Sequence, residues 1–225
     1  MKPENPFIFM EALRGRKPFV GRDDLLKTPK TAVTSGSLQP VLLHGLVHSG
    51  KSSLIQKVTF DYYETACYTI FNIVETEKSG LSVKTVLWGM CQALNRRTHY
   101  ALPDEKKFQA DPFAATEEML RNLCRQYSKF TQMLVISNID LLYANASEPI
   151  LQGLTITNRA RIADKLFNFW WRLAQTIGNL NFVFVCQTAE LPHNLFTPIL
   201  KNLHVGLLEF KDIEKLLNTP TPEFT

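Results

Sequence analysis

The chain has 225 residues, 45% of them hydrophobic and 20% charged, with a formal net charge of +4. This fits one globular domain with a sizeable core and a small appendage. No apolar run approaches the ~20 residues needed to span a bilayer and no charged-then-apolar leader opens the chain, which excludes a membrane-spanning reading and leaves a soluble cytosolic protein as the expectation. The basic excess is mild, and the densest cluster (Arg14, Arg16, Lys17, Lys27, Lys30) is short. A nucleic-acid surface is compatible with that balance but not demanded by it. Cys67, Cys91, Cys124 and Cys186 are far apart in apolar contexts, which reads as buried free thiols rather than disulfides or a zinc site.

Taken in order, Asn5-Pro6-Phe7-Ile8-Phe9 reads as extended chain with buried aromatics. Phe19-Val20-Gly21-Arg22 reads as a tight turn, and Asp23 or Asp24 opens a helix with an acidic first turn. Residues 27–40 are rich in Thr, Ser and Pro and end that helix. The apolar run Val41-Leu42-Leu43-His44 is then a strand. Gly45-Leu46-Val47-His48-Ser49-Gly50-Lys51-Ser52 follows it and spells G-x-x-x-x-G-K-S in full, and the next residues read as a helix. Strand, glycine loop and helix are the context in which this spelling cradles phosphate. Glycines permit positive φ and close backbone approach. Loop N–H groups and the helix N-terminus present partial positive charge to an anion. The loop residues Gly45, His48, Ser49, Gly50 and Lys51, with Ser52 and Ser53 at the helix start, are therefore expected to bind a nucleotide. Lys51 would reach the β- and γ-phosphates and the Ser52 hydroxyl would face Mg²⁺. His48 stands at a variable position and is assigned no catalysis.

Cys67-Tyr68-Thr69-Ile70-Phe71-Asn72-Ile73 is β-rich and reads as the second strand. Residues 82–95 show helical spacing, with Val83, Val86, Leu87, Met90 and Leu94 on one stripe. A polar connection carrying Pro103, Asp104 and Asp111-Pro112 leads to a helix over 113–130. Met133-Leu134-Val135-Ile136 is apolar without alternation, as a strand covered on both faces requires. After a loop to about residue 157, a long helix is expected over 159–177. One helix cannot turn Phe167, Phe169, Trp170 and Trp171 all inward, so Trp171 or Phe167 becomes a candidate interface residue, against plain core packing. Asn181-Phe182-Val183-Phe184-Val185-Cys186 is a buried strand, 195–203 a short helix, 204–208 the last strand, and a further helix begins at 211. Strands alternating with helices mean βαβ units and a parallel sheet. Five of them with the loop after the first give the α/β P-loop NTPase fold, with helices on both faces.

The N-P-F segment, F-V-G-R with its acidic helix, and the P-loop together resemble the STAND branch of AAA-type ATPases, and the G-R-acidic pattern is similar to that of replication-initiator ATPases. The resemblance covers nearly the whole chain. It implies strand order 5-1-4-3-2, ATP with Mg²⁺ as the ligand, and an N-terminal segment (1–40) packed on the nucleotide site. Phe19, Val20 and Arg22 would line the base pocket, 41–210 would be the ATPase core, and 211–225 the start of a truncated lid or a C-terminal tail. Gln187 and Thr188, after the fourth strand, stand where relatives place the polar sensor of the γ-phosphate. A protein partner or a homo-oligomer is implied, with signalling and prokaryotic defence as the setting.

The resemblance fails at the end of the third strand. Relatives carry two carboxylates there, one holding Mg²⁺ through water and one polarising the attacking water. Here the positions are Ser137 and Asn138, a degenerate Walker B. Ser137 can hydrogen-bond a metal-bound water but adds no charge, and Asn138 can orient a water but cannot take its proton. Asp140, two residues on, and Glu75, after the second strand, are the candidate displaced catalytic acids, the latter with Glu77 beside it. Arg159 and Arg161 are candidate trans arginine fingers. The expectation is an ATP-binding switch or assembly module with weak or absent hydrolysis. The alternatives are an active ATPase with a displaced or trans-supplied acid, and a DNA-associated AAA-type regulator.

Overall fold

A computed structural model describes residues 22, 25, 40–61, 66–142, 156–188, 200–208 and 211–212. Phe19, Val20, the N-P-F segment, the helix expected from 195 and most of the expected tail and lid lie outside these residues. So do the side chains of Glu77 and Arg159.

The described elements are β1 (Val41–His44), α1 (Lys51–Asp61), β2 (Ala66–Asn72), a 3₁₀ segment (Ile73–Ser79), α2 (Val83–Thr98), α3 (Glu105–Ala110), α4 (Pro112–Gln126), β3 (Thr131–Ser137), a 3₁₀ turn (Ile139–Leu142), α5 (Ile156–Thr176), β4 (Leu180–Val185) and β5 (Lys201–His204). All five strands run parallel in the order β2-β3-β4-β1-β5, which is the expected 5-1-4-3-2 read from the other edge. β1 lies between β4 and β5, pairing Leu43 with Val185 and His44 with His204. The loop after β1 therefore emerges between the ends of two neighbouring strands, at the carboxyl edge where open α/β sheets bind ligands.

Strand residues alternate between two cores. Val41, Leu43, Tyr68, Met133, Val135, Val183 and Val185 face α1, through Leu54, Ile55 and Val58. Leu42, Phe71, Leu134, Ile136, Phe182 and Phe184 face α2, α4 and α5. Both faces are covered, which is why the central strands read as unbroken apolar runs. The helix ends carry their stop and start chemistry. Ser82 and Thr85 form a reciprocal capping box at α2, and Asp111 accepts the Phe113 and Ala114 N–H groups ahead of Pro112 at α4.

Three expectations are corrected. Phe167 is not an exposed interface residue. It is 2% exposed, stacked edge-on against Trp170 at 5.4 Å and beside Phe184 at 5.0 Å, while Trp171 is half-buried. The spacing from 167 to 170 is nearly one turn, so both rings reach the same core. The last strand is Lys201–His204, so 201–203 are not helical and 205–208 are not strand. Those strand residues are mostly exposed, so backbone pairing with β1 defines the strand where apolar periodicity could not. Within the polar connection, α3 forms around one buried side chain, Phe108.

Candidate nucleotide site

β1 delivers the chain to Gly45 at φ 148°, where its N–H donates to the Thr188 carbonyl at 2.9 Å. A Cβ at Gly45 would be driven into the Val205 carbonyl oxygen, so only glycine fits between β1 and the chain leaving β5. Leu46, Val47 and His48 form an exposed tip, with His48 in the left-handed region at φ 61°. The Ser49 N–H closes the tip onto the Leu46 carbonyl at 3.2 Å. Gly50 at φ 91° then turns the chain into α1, whose first N–H groups have no partner within the helix and point at the loop.

Lys51 is 5% exposed. Its Nζ donates to the carbonyls of Gly45 (2.8 Å) and Leu46 (2.7 Å) and to Ser49 Oγ (3.4 Å). The ammonium thus threads its own loop, held by groups that phosphate oxygens can replace. Burial pushes its pKa down. Cys186 and Asp140 push it back up, and Arg22 adds to the fall. Ser52 is exposed at the first turn of α1, and Ser53 is half-buried behind it.

Arg22 is also left-handed, at φ 63°, a costly conformation for a long side chain. Its guanidinium lies against Gly50 and donates to the Gly206 carbonyl at 2.9 Å. Burial lowers its pKa, while Asp212 opposes the fall. Arg22 thus ties the loop to the segment after β5. The base pocket it was expected to share with Phe19 and Val20 lies outside the described residues.

The tips of β2, β3 and β4 are joined by side-chain amides. Asn138, left-handed at φ 61°, donates from Nδ2 to Asn72 Oδ1 at 2.7 Å and accepts at Oδ1 from Gln187 Nε2. The turn at Asn138 swings the chain into Ile139–Leu142, so that Asp140 Oδ1 accepts the Gln187 N–H at 3.0 Å. The Thr188 hydroxyl faces Cys186 Sγ at 3.0 Å. Ser137 and Asn138 stand at the tip of β3, and the acid of this group whose charge raises the Lys51 pKa is Asp140. Glu75 lies elsewhere. It pairs with Arg96 at 2.7 Å, next to β2, which β3 and β4 separate from β1. Arg161 is exposed on α5.

Sequence reasoning missed Asn72, Gly206 and the close approach of the Val205 carbonyl to Gly45. Asn72 had one visible signal, a polar residue closing an apolar strand. The other two are backbone carbonyls and leave no mark in residue type.

The arrangement can cradle an anion between loop amides, the start of α1 and Lys51. A Mg²⁺ ion is ordinarily held by substrate phosphates with one or two protein oxygens, and the Ser52 hydroxyl and the Asp140 carboxylate are hard oxygen donors of that kind. Among the described residues, no group of three His, Cys, Asp or Glu could hold a metal, and no helix is long and apolar enough to cross a membrane.

The family described as AAA domain matches residues 36–195. A solved structure of a Walker-type ATPase of Pyrococcus abyssi aligns at TM-score 0.60 and 13% identity, covering 95% of this chain and 63% of that one. The chain therefore spans less than two thirds of that protein's length. A structure of Drosophila ORC bound to DNA aligns at TM-score 0.46 and 12% identity, covering 86% of this chain and 99% of that one. No curated protein matches.

Proposed function

This chain belongs to the AAA domain family, and on that premise we propose that it binds ATP with Mg²⁺ and acts as a nucleotide-dependent switch or assembly module with little or no hydrolysis of its own. One observation carries the reading: the phosphate loop is complete around a buried Lys51, while the tip of β3 offers a hydroxyl and an amide chain in place of two carboxylates. Binding and catalysis draw on different groups. The cradle supplies affinity through charge-assisted hydrogen bonds. Turnover needs a water oriented and polarised beside the γ-phosphate, and losing the group that does this costs roughly 10²–10⁴ in rate.

In this reading Lys51 leaves the Gly45 and Leu46 carbonyls for phosphate oxygens, and the loop opens slightly as it takes ligand. Gln187 and Asn138 share a hydrogen bond, so with Gln187 as the γ-phosphate sensor, a ligand that draws it away also frees the β3 tip. That is a means of signalling occupancy across the sheet edge. Mg²⁺, when bound, supplies charge neutralisation between the phosphates, and Ser52 would face it. The resemblance to STAND ATPases supports a partner protein or further copies of the chain as the reader of that signal.

A second reading has one observation in its favour. Asp140 lies close enough to Lys51 to affect its charge, with one carboxylate oxygen on the Gln187 N–H. On this reading Asp140 would stand in for a missing acid and make the chain a slow but genuine ATPase.

Thermal unfolding with and without Mg²⁺-ATP tests binding. At a hundredfold excess over Kd, a native-state ligand adds about 2.7 kcal/mol, or about 5–10 °C for a chain of this size. Lys51→Ala is expected to lose nearly all of that shift. No shift in the wild type at millimolar ATP, or an equal shift in Lys51→Ala, would remove the cradle from the proposal.

A further inference from the structure

We propose that His44 and His204 form a two-imidazole site for a divalent cation of the zinc class at the foot of the phosphate loop. The two residues are register partners at the ends of β1 and β5. In a parallel ladder such partners project from the same face of the sheet, one strand spacing apart. Their Nδ1 atoms stand 3.5 Å apart, with ring centroids at 4.9 Å and planes inclined by 54°. Two imidazole nitrogens bound to one tetrahedral Zn²⁺ at about 2.0–2.1 Å would lie about 3.3–3.4 Å apart. The observed separation is thus within a small ring rotation of ligation. The same contact is a hydrogen bond at the long end of the range, its direction set by the ring tautomers, so a cation would take the place of the shared proton. Imidazole suits Zn²⁺, and a hard cation such as Mg²⁺ has no use for the pair.

The backbone holds the two rings in place. The Val205 N–H donates to the His44 carbonyl at 2.7 Å, and the Lys201 N–H donates to the Pro40 carbonyl at the other end of β5. His204 is exposed and His44 half-buried, so water can complete the coordination. The position gives the site a consequence. β5 is a four-residue edge strand, and its exit carries the Val205 carbonyl that backs Gly45 and the Gly206 carbonyl that Arg22 grips. A cation joining His44 to His204 cross-links β5 to β1 at that junction and stabilises the floor of the loop. The inference does not depend on nucleotide binding, and nucleotide is left out of its test.

The test is calorimetric titration of ZnCl₂ into the chelator-stripped, nucleotide-free chain, with MgCl₂ as the hard-cation control. One Zn²⁺ per chain is expected, with a rise in melting temperature that a chelator reverses. His204→Ala, an exposed change on an edge strand, is expected to weaken binding at least about tenfold, a loss that even outer partners of a ligand bring. His44→Gln is expected to do the same, and X-ray absorption of the loaded wild type should show imidazole scattering. Because thiols also take zinc, Cys67→Ser is titrated in parallel and should bind as the wild type does. Absence of saturable Zn²⁺ binding, or unchanged affinity in His204→Ala, would overturn the proposal, as would loss of binding in Cys67→Ser. If His44→Gln does not fold, His204→Ala decides alone.

Discussion

In the proposed reading Lys51 serves nucleotide binding, and the pair Ser137-Asn138 stands where hydrolysis would need support. The P-loop residues were legible from spacing alone, because the mechanism fixes which residue types stand where. At the β3 tip the resemblance leads to Ser137 and Asn138, a proposed departure from two carboxylates. The side-chain contacts made there were not legible. The Asn72–Asn138–Gln187 chain joins residues 66 and 49 positions apart, and no local pattern announces it. Arg22 reaches Gly206 across 184 positions and contacts Gly50 on the way. A base-pocket role was read for it from resemblance, while its described contacts are with the loop and the exit of β5. At this scale, Ser137→Asp with Asn138→Glu is expected to raise ATP turnover at least tenfold, toward the 10²–10⁴ that such a group supplies. The two changes act on one metal and one water, so the single variants should fall well short of the double. A double variant that binds ATP and hydrolyses it no faster than wild type would show that the amide chain is not what limits the rate. Residual turnover that disappears in Asp140→Asn would favour the displaced-acid reading.

At the scale of elements, β1 to β4 were placed within two residues, because each is an apolar run bounded by polar ends. α3 and β5 were not, since six residues around Phe108 and four mostly exposed strand residues carry too little periodicity. The packing of helix on helix was likewise unreadable. Glu117 on α4 accepts from Arg121 one turn on, and from Arg172 of α5 at 2.6 Å. Burial pushes its carboxyl up, but the hydrogen bonds from Arg121 and Arg172 outweigh this and hold it below its ordinary value. A carboxylate with a lowered folded pKa contributes stability above the ordinary value of 4.5 and loses it as pH falls through the folded one. Glu117→Gln is expected to cost about 1 kcal/mol at pH 7, as a small charged network does, and so about 2–4 °C in melting temperature. The difference from wild type should shrink below pH 4.5. A variant that melts with the wild type at both pH values would mean the bridge contributes nothing.

For the molecule as a whole, the alternation of strands and helices pointed to a parallel α/β sheet, and the strand order came from resemblance to AAA-type ATPases. Both hold. Of the thiols expected to be buried, Cys91, Cys124 and Cys186 are and Cys67 is half-buried, and the buried ones give the fold an alkaline weakness. Burial pushes Cys91 up to about 11, against the help of the Thr116 hydrogen bond, and pushes Cys124 up to about 12. A raised folded pKa means the native state keeps its proton longer than the unfolded chain. That stability is complete below the ordinary thiol value of 9.0 and is lost as pH rises through the folded values. Lys51, held below its ordinary 10.5 by burial, acts in the opposite sense and offsets part of the loss. The urea midpoint should therefore fall from pH 8.5 to pH 11, and less steeply in Cys91→Ala/Cys124→Ala. Equal slopes in the two proteins would place the alkaline transition elsewhere.

The proposed switch rests on ATP that is bound and kept. With the chain in excess over γ-labelled ATP and Mg²⁺, the conversion of bound ATP to ADP and phosphate measures the chemical step directly, free of product release. An ordinary enzyme turns over at about 10 s⁻¹, and a loss of 10²–10⁴ at the water-activating position leaves about 10⁻³–10⁻¹ s⁻¹ or less. ATP that stays bound and intact for seconds to many minutes is the predicted result. Conversion within a fraction of a second by the wild-type chain alone would contradict it.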